Sequence, residues 1–167
     1  MTDNGLYQLA EAVGRGLQRR AWLLATAESC TGGWVSQAIT SIAGSSEWFD
    51  RGYVTYSNRA KQEMLGVAEA TLASHGAVSE PTVAEMALGA LEASGADVAV
   101  AVSGIAGPGG ATPGKPVGLV CFAWLVKGSP PLTRTVQLDG DRQAVRRQAV
   151  EITLNGLLDL LSVAAGD

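Results

Sequence analysis

The sequence predicts a three-layer α/β/α domain with a mixed, mostly parallel sheet, spanning residues 1–167 as one unit. Three observations carry this expectation. Short apolar runs suited to buried strands alternate with segments whose apolar residues fall at helical spacing. A glycine turn, Glu28-Ser29-Cys30-Thr31-Gly32-Gly33, joins one such strand directly to a helix. Near the C-terminus two strands are linked so briefly that they must pair antiparallel.

Leu6, Leu9, Ala10, Val13 and Leu17 line one face of a first helix, and Arg19 and Arg20 suit its negative end. Residues 21–27 are apolar on both faces, as a strand buried in a parallel sheet requires. After the glycine turn, Trp34, Val35, Ala38 and Ile39 mark a helix closing near Gly44. Residues 52–56 read as a second strand, and Ser57 or Asn58 is placed to cap a helix carrying Lys61, Met64 and Leu65. Ser79-Glu80-Pro81 puts a capping residue ahead of a first-turn proline, with Val83, Met86, Ala87, Ala90 and Leu91 as one apolar stripe behind it. Residues 97–103 alternate valine and alanine in a buried strand that empties into a glycine- and proline-rich loop over 104–116. A loop of that length points to function. Residues 117–126 and 132–138 form a hairpin across Gly128-Ser129-Pro130-Pro131. Val145, Ile152, Leu154, Leu157, Leu158 and Leu161 then place a closing helix from 141 to about 164.

A chain of 167 residues fits one core, since domains run to on the order of 100–200 residues. Its 12 basic against 16 acidic side chains, net charge -4, provide no global field for nucleic acid or an acidic membrane surface. The first residues carry Asp3 and no apolar core ahead of a cleavage site. The longest strongly apolar stretch, 117–126, falls short of the roughly 20 residues that cross a bilayer. A cytoplasmic protein with no nucleic-acid or membrane partner is expected. Cys30, Cys121 and the lone His75 supply neither a disulfide framework nor a zinc ligand set, so free thiols and no metal are expected.

Ser29 sits where a buried strand hands over to a glycine-led helix, which exposes a hydroxyl beside unpaired N–H groups that could hold an oxyanion. Capping of that helix by Ser29 or Thr31 reads equally well, and one residue can do both. A serine nucleophile needs a base. His75 lies in a polar turn ahead of Gly76, so a Ser-His-Asp triad does not fit, and a lysine with a pKa lowered by burial is the other familiar base. Of Lys61, Lys115 and Lys127, Lys61 stands close behind a strand end, whereas Lys127 borders the hairpin turn as a solvated charge. Tyr56 can orient the lysine or relay a proton, although a tyrosine there more often packs with a wet hydroxyl. Cys30 would gain reactivity at a helix N-terminus, but a free cysteine is more often buried filler, and neighbouring turn residues usually point apart. The loop from Gly104 could bring N–H groups against a phosphate. It is no Walker motif, since Pro116 follows Gly114-Lys115, and a surface loop stiffened by prolines fits equally. Arg142, Arg146 and Arg147 read as a solvated helix start, with Arg142 a reasonable phosphate partner.

With these residues in view, the sequence closely resembles the CinA C-terminal domain family. The resemblance is carried by Ala27-Glu28-Ser29-Cys30-Thr31-Gly32-Gly33, by Gly52-Tyr53-Val54-Thr55-Tyr56-Ser57-Asn58-Arg59-Ala60-Lys61 and by Gly76-Ala77-Val78-Ser79-Glu80-Pro81. Ser103-Gly104-Ile105-Ala106-Gly107-Pro108-Gly109-Gly110, Lys115-Pro116-Val117-Gly118 and Gly140-Asp141-Arg142 complete it, in family order over nearly the whole chain. It implies hydrolysis of the carboxamide of nicotinamide mononucleotide to nicotinate mononucleotide and ammonia, in pyridine-nucleotide recycling, without metal or organic cofactor. It also implies Ser29 as nucleophile with support from Tyr56 and Lys61, and a homo-oligomer, by family expectation a dimer. The mechanism expected on that basis uses N–H groups near Thr31, Gly32 and Gly33 for the oxyanion. Ser103, Gly104, Ala106, Gly107 and Arg142 then grip the phosphate and ribose. Many relatives carry this domain behind a separate hydrolase domain, and no activity of that part is carried over. The alternative is a non-catalytic nucleotide-binding module linked to competence or recombination proteins, which ammonia release would exclude.

Overall fold

The computed structural model describes residues 3–165, so Met1 and Thr2 of the N-terminal stretch lie outside the described residues. Helix α1 (Asp3–Arg20) ends at Ala21, whose φ of 53° reverses the chain, and β1 (Leu24–Glu28) opens three residues later than the apolar run suggests. Next come α2 (Trp34–Thr40), a single 3-10 turn (Ser45–Glu47), β2 (Phe49–Val54) and α3 (Asn58–Leu65). Then follow α4 (Glu69–His75), α5 (Glu80–Ser94), β3 (Val98–Gly104), β4 (Leu119–Val126), β5 (Leu132–Gln137) and α6 (Arg142–Ala165). Strand β2 begins three residues earlier than expected. His75, read as part of a turn, instead closes the short helix α4, whose Ala68 N-cap offers no side-chain hydrogen bond and so no sequence signal. Helix α5 has the expected start, with Ser79 Oγ accepting from Thr82 N–H ahead of Pro81.

The sheet order is β2-β1-β3-β4-β5. Strand β1 pairs in parallel with both β2 and β3, while β4 pairs antiparallel with β3 and β5. Only β4 therefore runs against the others, and the sheet is mixed and mostly parallel as expected. Alternation along the strands separates two cores. Leu24, Val98, Val100, Val102, Phe122 and Trp124 face α1, α2 and α6, and Ala25, Ala27, Ala99, Ala101 and Ala123 face α3, α4 and α5. The small alanine face lets α5 lie close. A Cβ at Gly89 would stand 1.9 Å from the Leu65 carbonyl oxygen, a contact that only glycine permits.

Because β1 leads outward to β2 and the chain returns to place β3 on β1's other side, strand order reverses between β1 and β3. A crevice outside the carboxyl ends of the two strands is where such sheets bind ligands. Both strands end in the motifs singled out above, Glu28-Ser29 and Ser103-Gly104.

Candidate active site

The sheet sets the position of Ser29. Its N–H donates to the Val102 carbonyl at 3.0 Å and so extends the β1–β3 ladder by one residue, and Thr55 N–H donates to the Glu28 carbonyl at 2.8 Å from the other side. Strand alternation then sends Glu28 to the α2 face with Thr26 and Leu24, and Ser29 to the α3 face.

Lys61 reaches the same point from α3. Ser57 Oγ accepts from Ala60 N–H at 3.0 Å and fixes the helix start, so Lys61 stands in the first turn, where side chains lean back toward the N-terminus. Its Nζ lies 3.0 Å from Ser29 Oγ and donates to the Thr55 carbonyl at 2.7 Å. Lys61 is only 1% exposed, and no carboxylate pairs with it among the described residues, so burial pulls its pKa down from 10.5 to about 8. A long amine buried against a hydroxyl, with one carbonyl partner and no counter-charge, is poised to work in its neutral form.

Glu28 performs the capping that spacing suggested for Ser29 or Thr31. The carboxylate is 1% exposed and accepts from Thr31 Oγ1 at 2.6 Å, Val35 N–H at 2.9 Å, Ser36 N–H at 2.9 Å and Ser36 Oγ at 2.7 Å. Gly33, at the cap position with φ 102°, has no side chain to offer. An anion at the start of α2 is also favoured by the helix dipole. Glu28 is a site residue that sequence reasoning quoted in a motif but gave no role; an acidic residue eight positions ahead of Ser36 matches no local capping spacing.

A cavity of about 260 Å³ opens over Ser29 and Lys61, walled by Tyr56, Ser103, Ala106 and Arg142. Gly104 and Gly107 line it as well, so the loop after β3 does meet the turn after β1. Thr31, Gly32 and Gly33 do not line it, and Thr31 is fully buried with its hydroxyl spent on Glu28. Gly32 N–H is also used, donating to the Ser29 carbonyl at 3.0 Å. The N–H groups of Thr31 and Gly33 make no hydrogen bond among the described residues. Tyr56 is 61% exposed, and its hydroxyl accepts from Arg142 Nη2 at 2.8 Å; no hydrogen bond joins it to Lys61. Arg142 Nη1 donates to the Gly107 carbonyl at 2.8 Å, which ties the loop to α6.

Cys30 lines the cavity beside Ser29, but it belongs to the core on the α1, α2 and α6 side, where the thiol is buried and its pKa is pushed up to about 11 by desolvation. A protonated, buried thiol is a poor rival nucleophile. Cys121, on β4, is also free and buried. Among the described residues no helix is long and apolar enough to cross a membrane.

Comparison with known proteins agrees with this geometry. The CinA C-terminal domain profile matches residues 6–161. The chain is 59% identical over 157 residues to the nicotinamide-nucleotide amidohydrolase PncC of Escherichia coli K12, covering 94% of this chain and 95% of that one. It is 53% identical over 152 residues to the protein of the same name from Pseudomonas putida, covering 91% and 94%. Among solved structures, a competence-damaged protein (CinA) superfamily protein from Klebsiella pneumoniae 700603 superposes with TM-score 0.91 at 43% identity, over 94% of this chain and 98% of that one. The competence/damage inducible protein CihA of Agrobacterium tumefaciens gives 0.91 at 44% identity over 96% of each. With the profile spanning nearly the whole chain and the fold and motifs in register, this protein belongs to the CinA C-terminal domain family.

Proposed function

We propose that this chain hydrolyses the carboxamide of nicotinamide mononucleotide to nicotinate mononucleotide and ammonia, with Ser29 as nucleophile and Lys61 as its base. The observation that carries the chemistry is the buried Lys61 Nζ at 3.0 Å from Ser29 Oγ, and the substrate follows from relatives named for that amidase at 59% identity. Neutral Lys61 accepts the Ser29 proton as Oγ attacks the carboxamide carbon. Backbone N–H groups of the turn hold the developing oxyanion. Collapse breaks the C–N bond, the Lys61 ammonium returns the proton to the leaving nitrogen, and ammonia departs. Water then attacks the Ser29 ester with Lys61 taking its proton, and as the C–O bond to Ser29 breaks Lys61 passes that proton to Oγ and the nicotinate carboxyl is released.

Arg142 and the loop residues Ser103, Gly104, Ala106 and Gly107 hold the ribose and phosphate, and Tyr56 supports the site through its hydrogen bond to Arg142. A binding module has no use for a lysine buried without a counter-charge against a serine, which favours the enzyme over the non-catalytic alternative. The cytoplasmic location and the homo-oligomer expected from the family belong to the same proposal. Ammonia release from nicotinamide mononucleotide, nicotinamide riboside and free nicotinamide at equal concentration tests it. Clear preference for the mononucleotide is expected, and silence on all three sinks the reading.

A further inference from the structure

Arg146 lies outside the cavity wall, yet it grips the turn that carries Ser29. Its Nε donates to the Cys30 carbonyl at 3.0 Å and its Nη2 to the Thr31 carbonyl at 3.2 Å. The guanidinium carbon sits 5.5 Å from the ring centre of Trp34, the first residue of α2, within cation–π range. Gly32 leaves it room, since a Cβ there would stand 3.5 Å from Nη2.

Residues 29–32 form a β-turn closed by Gly32 N–H on the Ser29 carbonyl at 3.0 Å, with Cys30 and Thr31 in its two central positions. The two common forms of such a turn differ by a half-rotation of the central peptide plane. In a planar trans peptide the C=O and N–H point in opposite directions, so whatever holds the Cys30 carbonyl also aims the Thr31 N–H. That N–H has no acceptor among the described residues, although Thr31 is fully buried. Arg146 belongs to α6 on the valine face, whereas Lys61 stands on the alanine face, so the guanidinium holds the turn from the side opposite Lys61.

The geometry points to Arg146 as a positioning residue for the amide hydrolysis: by holding the Cys30 and Thr31 carbonyls it fixes the turn on which Ser29 stands opposite Lys61. This rests on the reading of Ser29 as an amidase nucleophile. Arg146→Met keeps an aliphatic stem against Trp34 but loses both donors, and Arg146→Lys keeps the charge and a single donor. Arg146→Met is expected to lower kcat on nicotinamide mononucleotide by about 10²-fold, the loss typical of a nucleophile displaced by about 1 Å, with KM little changed. The pH midpoint of the rate stays where it is in wild type, because the Ser29–Lys61 pair is untouched, and Arg146→Lys falls between the two. A crystal structure of the Met variant is expected to show the Cys30–Thr31 peptide rotated. Wild-type turnover in Arg146→Met, or a shifted pH midpoint accompanying the loss, overturns the assignment. So does a Cys30–Thr31 peptide that keeps its orientation without the guanidinium. If wild type releases no ammonia the amidase reading falls by itself, and the peptide orientation still decides the role of Arg146. Should Arg146→Met not fold, the same crystallographic and kinetic comparison is made with Arg146→Lys.

Discussion

Replacing Lys61 by methionine separates a catalytic amine from a structural ammonium. The side chain is buried and its pKa falls from 10.5 to about 8, so below pH 8 the folded protein carries a charge that burial disfavours. At about 1.4 kcal/mol per pKa unit, the shift amounts to about 3 kcal/mol of lost stability at pH 7 relative to an unperturbed lysine. Methionine removes that burden but leaves the Thr55 carbonyl without its donor, a loss of about 1–3 kcal/mol. The variant should therefore unfold in urea at pH 7 within about 2 kcal/mol of wild type, on the more stable side. Between the folded value near 8 and the unfolded value near 10.5 the unfolded chain binds more protons at this site, so wild type gains stability on that rise and the methionine variant does not. Ammonia release by the variant should fall by orders of magnitude, while in wild type it should climb through about pH 8 as Lys61 loses its proton. A stability difference that stays constant from pH 7 to 10, together with a strongly destabilised variant, would make Lys61 a structural cation instead.

Glu28→Gln turns an amide NH₂ toward the N–H of Val35 or of Ser36, and urea unfolding should show a loss of about 3 kcal/mol; an unchanged midpoint would deny Glu28 its capping role. Arg142→Ala should raise KM for nicotinamide mononucleotide roughly tenfold and leave the riboside, which has no phosphate, nearly unaffected. Equal losses on both substrates would contradict a phosphate contact. Cys30, with its thiol pushed up to about 11, should resist iodoacetamide at pH 8 in the folded protein and react once urea unfolds it. Labelling of the folded state at the rate of a free thiol speaks against that burial.

Much of the fold was legible because strands with two buried faces carry their own signature. The valine–alanine alternation of β3 marks burial on both sides, and the structure turns it into one face for large helices and one for close approach. The Ser79-Glu80-Pro81 start of α5 was equally plain. Helix α4 was not, since Ala68 provides no cap and seven residues hold too few apolar positions to show a period. The limits of β1 moved because the left-handed Ala21 breaks an otherwise continuous apolar run, a conformation that alanine rarely adopts. In the site, Ser29 and Lys61 could be paired by elimination, with a single histidine in the chain and few lysines. Glu28 and Arg146 could not: Glu28 caps α2 at spacings that match no local capping pattern, and Arg146 reaches the turn from a helix more than 100 residues away. Arg146, with its spacing of a solvated helix start, is instead folded onto two carbonyls that only the tertiary structure brings to it.

The most direct test of the central claim is ammonia release from nicotinamide mononucleotide by the purified protein beside its Ser29→Ala variant, with urea unfolding of both as a control. Release by wild type and none by a variant of equal stability is the predicted result. Comparable release from both proteins would remove Ser29 from the nucleophile role and contradict the account built on its contact with Lys61.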